Sequence, residues 1–152
     1  MRNKEASIVP QYNPKKLEQP KKYINTDAAI MRGWQQDGNH ANVFASIRFV
    51  QHGFECFSQW AGDEMTLFWD FIRIIHQTTW ADLYRSAGKG INKVGLGYTV
   101  INTSNYPEAF TKELDPGITL FELRVSQRAR VHCFRDSSIC YICFLDKDHR
   151  LT

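Results

Sequence analysis

The sequence predicts an α+β domain, with two helices packed on a small antiparallel β-sheet that ends in a three-stranded C-terminal meander. Two observations carry this. Residues 118–125 (ITLFELRV), 129–134 (ARVHCF) and 139–145 (ICYICFL) are short runs of β-branched and aromatic residues divided by turn material. Upstream, the period changes: Leu67, Phe68, Phe71, Ile72, Ile74 and Ile75 form a broad apolar stripe at helical spacing.

Residues 1–22 hold Pro10, Pro14 and Pro20 with six basic and two acidic side chains. Such a composition buries too little to offset its ordering entropy. It reads as a flexible basic tail, with 23–152 as one α+β domain. In residues 23–42, Thr26 is positioned to cap a short helix through Met31 that Gly33 or Gly38 would end.

Residues 43–50 (VFASIRFV) and 54–58 (FECFS), split by Gln51-His52-Gly53, read as a strand, a turn and a second strand. The first helix spans 63–77, with Asp63 as its cap and Glu64 suiting its positive end. Thr79 caps a shorter helix through Tyr84 or Arg85, with Asp82 where a capping box puts its acid. Residues 86–95 (SAGKGINKVG) lack the GxxxxGK[ST] spacing of a phosphate cradle and read as a loop, whose Lys89 and Lys93 can line a groove. A short strand at 97–102 and a loop with a helical turn between Pro107 and Pro116 complete the middle of the chain.

Register decides what the meander presents. A three-residue loop, Val125 to Gln127, pairs Glu122 with Arg130, Phe121 with Val131 and Leu123 with Ala129. It separates apolar from charged faces, whereas a two-residue loop mixes them. A loop at 135–138 then pairs Phe134 with Ile139, Cys133 with Cys140, His132 with Tyr141 and Val131 with Ile142. The buried face becomes Phe121, Leu123, Val131, Cys133, Cys140, Ile142 and Phe144. The other face carries Glu122, Arg124, Arg128, Arg130, His132 and Tyr141. Arginine forks suit phosphate, histidine exchanges protons near neutrality, and tyrosine donates a proton or stacks on a base. Two readings of this face stand: a site for RNA and attack by its 2′-hydroxyl, or a solvated sheet surface with an ordinary Glu122–Arg130 pair.

Charge narrows the classes. The chain of 152 residues carries a net +3, but residues 23–152 hold 13 basic and 14 acidic side chains. Any affinity for nucleic acid therefore comes from the tail or a local cluster. No apolar leader or run long enough to span a membrane is visible, so Cys56, Cys133, Cys140 and Cys143 read as reduced thiols of a cytoplasmic protein. Cys140 and Cys143 fall on opposite faces of a strand, which speaks against a metal knuckle. Asp146-Lys147-Asp148-His149 reads as a polar strand exit, or as metal ligands or a catalytic pair.

The run FELRVSQRARVHCFRDSSICYICFLDKDHR, placed after two helices, resembles the RelE/ParE-type toxin superfamily. The matching positions are Phe121-Glu122-Leu123-Arg124, then Arg128, Arg130 and the strand with Tyr141. The resemblance implies two helices on a small antiparallel sheet and a metal-independent endoribonuclease without cofactor. Arg128 and Arg130 would hold phosphate, His132 or Tyr141 would handle the proton, and Arg124 would stay structural or pair with Glu122; alternatively Arg124, with Lys89 and Lys93 of the loop, binds RNA. RNA or the ribosome would be the substrate and an antitoxin protein the partner. ParE-type members act on gyrase instead. The alternative class is a non-catalytic module, phage or mobile-element encoded, that binds and blocks another protein.

Overall fold

The computed structural model describes residues 38–87 and 96–151, all within the compact unit Gly33–Thr152. The basic tail, the helix capped by Thr26, and Lys89 and Lys93 lie outside the described residues. In chain order the elements are β1 (Phe44–Ser46), α1 (Gly62–Ile75), α2 (Trp80–Arg85), β2 (Thr99–Val100), α3 (Glu108–Thr111), β3 (Phe121–Arg124), β4 (Arg130–Asp136) and β5 (Ile139–Asp146). This is an α+β arrangement around one five-stranded sheet of order β1-β5-β4-β3-β2. Among the described residues, no helix is long and apolar enough to cross a membrane.

The two predicted helices form close to their expected positions. α1 begins one residue early: the Ala61 amide donates to Glu64 Oε1 at 2.6 Å, so Asp63 sits in the first turn instead of capping it. α2 starts as expected, the Asp82 amide donating to Thr79 Oγ1 at 3.1 Å. Phe68, Phe71 and Ile75 of α1 and Trp80 and Leu83 of α2 share one core with Phe121, Leu123, Val131, Cys133, Cys140 and Ile142. Two helices thus cover the expected face of the meander.

The expected hairpin of 43–50 with 54–58 does not form. β1 is only three residues long and pairs with β5 in parallel, Phe44 lying opposite Ile139. The sheet is therefore mixed, antiparallel from β2 to β5 only. Residues 54–58 cannot extend, because Gly53 (φ 87°) and Glu55 (φ 46°) turn the backbone left-handed. Glu55 is buried, its carboxylate pairs with Arg150, and its carbonyl accepts from the Leu145 amide at 2.6 Å. The chain there grips the end of β5 instead of pairing as an edge strand.

Both meander registers shift by one pair. Leu123 faces Val131, Glu122 faces His132, and Arg124 faces Arg130. On the other side Asp136 faces Ile139 and Phe134 faces Tyr141, across a two-residue turn at Ser137-Ser138 with Ser137 at φ 56°. A shift of two positions preserves which residues share a face, so the predicted sorting survives except at one place. A bulge at Cys143 puts His132 opposite Phe144 and Val131 opposite Leu145. Phe144, expected beneath the helices, points the other way, and Leu145 takes its place in the helix-side core.

The second face is not open to solvent, contrary to expectation. Residues 101–120 fold across it, and Ile101, Tyr106, Phe110 and Leu120 pack on Phe134, Cys143 and Phe144. The sheet is a middle layer, which makes Glu122, His132 and Asp146 interior residues.

His76, just past α1, accepts the Ala45 amide on Nε2 at 3.0 Å and ties β1 to the helix. Burial lowers its proton affinity from the ordinary value of 6.5. A group depressed in the folded state contributes stability above its unfolded value and loses it as pH falls below that value. We therefore expect the thermal midpoint to fall from pH 7 to pH 5 more steeply in the wild type than in His76→Gln. Parallel slopes in a pair of melting series would contradict this.

Candidate functional site

The predicted groups divide into an interior set and a rim set. His132 is fully buried. Its Nδ1 lies 2.7 Å from the Tyr106 hydroxyl and its Nε2 lies 3.2 Å from Asp146 Oδ2. Burial pushes the Tyr106 phenol up, so it keeps its proton and donates to Nδ1, leaving Nε2–H to donate to Asp146. Burial alone would raise the Asp146 carboxyl. Hydrogen bonds from His132 and from the Arg150 and Leu151 amides outweigh it and hold the carboxyl below the ordinary value. Those amides lie at 2.8 and 2.9 Å. The chain of three saturates its members and pins the turn after β5. It has no open side for a phosphate, so the proton-handling role expected of His132 is not available in this fold.

Tyr141 is displaced as well. It faces Phe134 instead of His132, stacks on that ring at 5.2 Å and contacts Phe49 at 5.0 Å. Its β4 neighbour Phe134 lies four positions from Arg130, roughly 13 Å along the strand. Tyr141 therefore belongs to an aromatic patch and not to the arginine cluster.

Arg124 and Arg130 face one another across β3 and β4, and Arg128 lies in the loop between those strands. Arg130 Nε lies 3.7 Å from Glu122 Oε2, so the expected pair forms diagonally across the strands. Its Nη1 donates to the carbonyls of Ser126, Gln127 and Ala129 at 2.8, 3.3 and 3.0 Å. With its side chain only 11% exposed, Arg130 locks the β3–β4 loop and orients Glu122, and its fork is not free to grip phosphate. Burial pulls its proton affinity down, and Glu122 offsets part of that. Arg128 is mostly exposed and pairs loosely with Asp148 at 3.1 Å. Arg124 is half-buried and lies against Gly97 (φ 61°), where a Cβ would stand 3.0 Å from its Nη2. Glycine at 97 both permits the turn and makes room for the guanidinium.

A group that pattern reading placed in a polar strand exit, or among metal ligands or a catalytic pair, lies next to Glu122. His149 Nε2 lies 3.3 Å from Glu122 Oε1, and the side chain is about one-third exposed. Its left-handed backbone (φ 58°) folds it back over β3, on a turn that Asp146 anchors through the next two amides. The result is a buried carboxylate with an imidazole nitrogen 3.3 Å away that makes no hydrogen bond among the described residues, the Arg130 guanidinium 3.7 Å off and Arg124 opposite Arg130 on β3. Such a pair can orient a base, and the cations can take up phosphate charge.

Cys140 and Cys143 lie on opposite faces as expected, in the helix-side and cover-side cores. Among the described residues, no three His, Cys, Asp or Glu side chains are grouped to hold a metal ion. Comparison with protein-family models, with characterised proteins and with solved structures finds no match to this chain.

Proposed function

We propose that this chain is a toxin of the RelE/ParE type that cleaves RNA by 2′-hydroxyl attack, with its working site at the rim of β3 and β4. The observation that carries the reading is the approach of His149 to Glu122 at 3.3 Å, with Arg130 paired to the same carboxylate, Arg124 opposite Arg130 and Arg128 in the adjoining loop. Two helices on an antiparallel meander, with Phe121-Glu122-Leu123-Arg124 on β3, is also the arrangement that the resemblance implies. His149, with Nε2 turned to Glu122, accepts the 2′-hydroxyl proton on its other ring nitrogen. The 2′-oxygen bonds to the adjacent phosphorus, the bond to the 5′-oxygen breaks, and solvent protonates that oxygen. Arg128 and Arg124 neutralise the phosphorane charge, while Arg130 positions Glu122. The products are a 2′,3′-cyclic phosphate and a 5′-hydroxyl. In this reading the protein acts in the cytoplasm on free or ribosome-bound RNA, and an antitoxin protein holds it in check.

Purified protein is expected to cut RNA in the presence of EDTA, and His149→Ala to slow cutting by about 10²-fold or more with unchanged circular dichroism. Absence of cutting, or equal rates in the two proteins, would sink the proposal. A second reading, a module that binds and blocks another protein, is favoured by the exposed large apolar side chains Phe49, Phe54, Trp69 and Ile74. It predicts growth arrest on induction that His149→Ala does not relieve.

A further inference from the structure

At the far end of the same face, the cover segment and β4 form a groove that no part of the RNA reading uses. It has a volume of about 470 Å³, and its floor is Phe49, Phe110, Leu114, Ile118 and Phe134. A second depression of about 350 Å³ continues it, sharing Leu114 and Ile118. Phe49 stacks on Phe134 at 6.0 Å, yet stays 41% exposed. Leaving such a platform in water costs free energy that a partner's apolar side chains would recover.

The rim is predominantly acidic. Glu113 and Asp115 border the first depression and Glu108 the second, with Lys112 the one cation among the residues lining the two. None of these three carboxylates is within ion-pair distance of a cation among the described residues. An acidic rim repels phosphate backbones and anionic bilayers, and attracts cationic flanks. An apolar floor within it calls for bulky side chains between those flanks.

We infer that this groove docks a short segment of a protein partner in which two or three bulky apolar side chains are flanked by lysine or arginine. The inference does not depend on the RNA reading, because the two sites share no residue and have opposite charge. Binding to the groove would leave the arginine rim uncovered.

A random dodecamer library displayed on phage and panned over the full chain tests this. Enriched peptides are expected to combine bulky apolar residues with lysine or arginine. Measured by fluorescence anisotropy, a synthetic enriched peptide should bind at least tenfold more weakly to Glu113→Lys/Asp115→Lys and to Ile118→Ser. Its affinity for His149→Ala should equal that for the wild type. Both charge changes are on exposed side chains, and thermal melts would verify that the variants fold. No enrichment, enrichment of acidic peptides, or an affinity indifferent to the double reversal would overturn the inference. So would a dimer in sedimentation that Ile118→Ser dissociates, since the groove would then belong to a second copy.

Discussion

His132→Ala is expected to destabilise the fold by about 3–5 kcal/mol, as loss of one partner in a buried charged network does, instead of silencing an intact enzyme. Removing the imidazole strands the Tyr106 hydroxyl and the Asp146 carboxylate in the interior, and leaves a cavity at the edge of the Tyr106 ring. Urea unfolding monitored by tryptophan fluorescence would read this as a fall in midpoint at unchanged slope. Tyr106→Phe should cost less, about 1–2 kcal/mol. The double variant should fall short of the sum, because both changes break one hydrogen-bond chain. Acid adds an independent check. Asp146 is held below its ordinary value of 3.8, so its contribution is present above that pH and is lost as pH falls below it. Asp146→Asn should therefore be less stable than wild type at pH 7, and the gap should narrow as pH falls below 3.8. A His132→Ala protein as stable as wild type would restore the case for a surface role.

Arg135→Ala is expected to cost about 3 kcal/mol, several charge-assisted hydrogen bonds and a cation–π contact acting together. The guanidinium lies 4.2 Å over the Trp80 ring. It donates to the Ser137 carbonyl at 2.6 Å, to Asn39 Oδ1 and the Tyr84 hydroxyl at 2.9 Å each, and to the Gly38 carbonyl at 3.0 Å. One side chain thus joins the β4–β5 turn, α2 and the segment entering β1. Arg135→Lys should recover little, because an ammonium lacks the planar fork that reaches these acceptors together. The expected sign, besides a lower unfolding midpoint, is faster proteolysis around residues 38–42. A lysine variant with wild-type stability would show that charge alone suffices.

The face sorting of the meander was legible because Phe121, Leu123, Val131 and Cys133 alternate cleanly with polar neighbours. Parity survives a register shift of two. The bulge was not legible: Ile142 to Leu145 is a continuous apolar run, so nothing in it marks where alternation slips. Arg135 and Asp136 resemble turn formers in sequence. They extend the ladder because Arg135 finds acceptors that are distant along the chain. The cover segment was missed for a related reason. Ile101, Tyr106, Phe110 and Leu120 follow no helix or strand period, and only their shared contact with Phe144 reveals them as a layer. Of the candidate site, the arginines and Glu122 were readable from strand alternation. His149 was not, since its place depends on a left-handed backbone turn.

The parallel union of β1 with β5 has a consequence for the order of synthesis. Phe44 leaves the ribosome long before Ile139, its partner, and Trp60 waits as long for the Leu145 carbonyl that its indole nitrogen binds at 3.1 Å. Until β5 arrives, β1 has no neighbour, α1 and α2 lack Cys140, Ile142 and Leu145 of the core they cover, and the turn bearing His149 has not been made. Closure of such distant pairs is slow. Nascent chains would therefore pass through a stage with greasy helices uncovered and the rim site unassembled, so that whatever this protein does begins only after β5 and the turn bearing His149 have been translated.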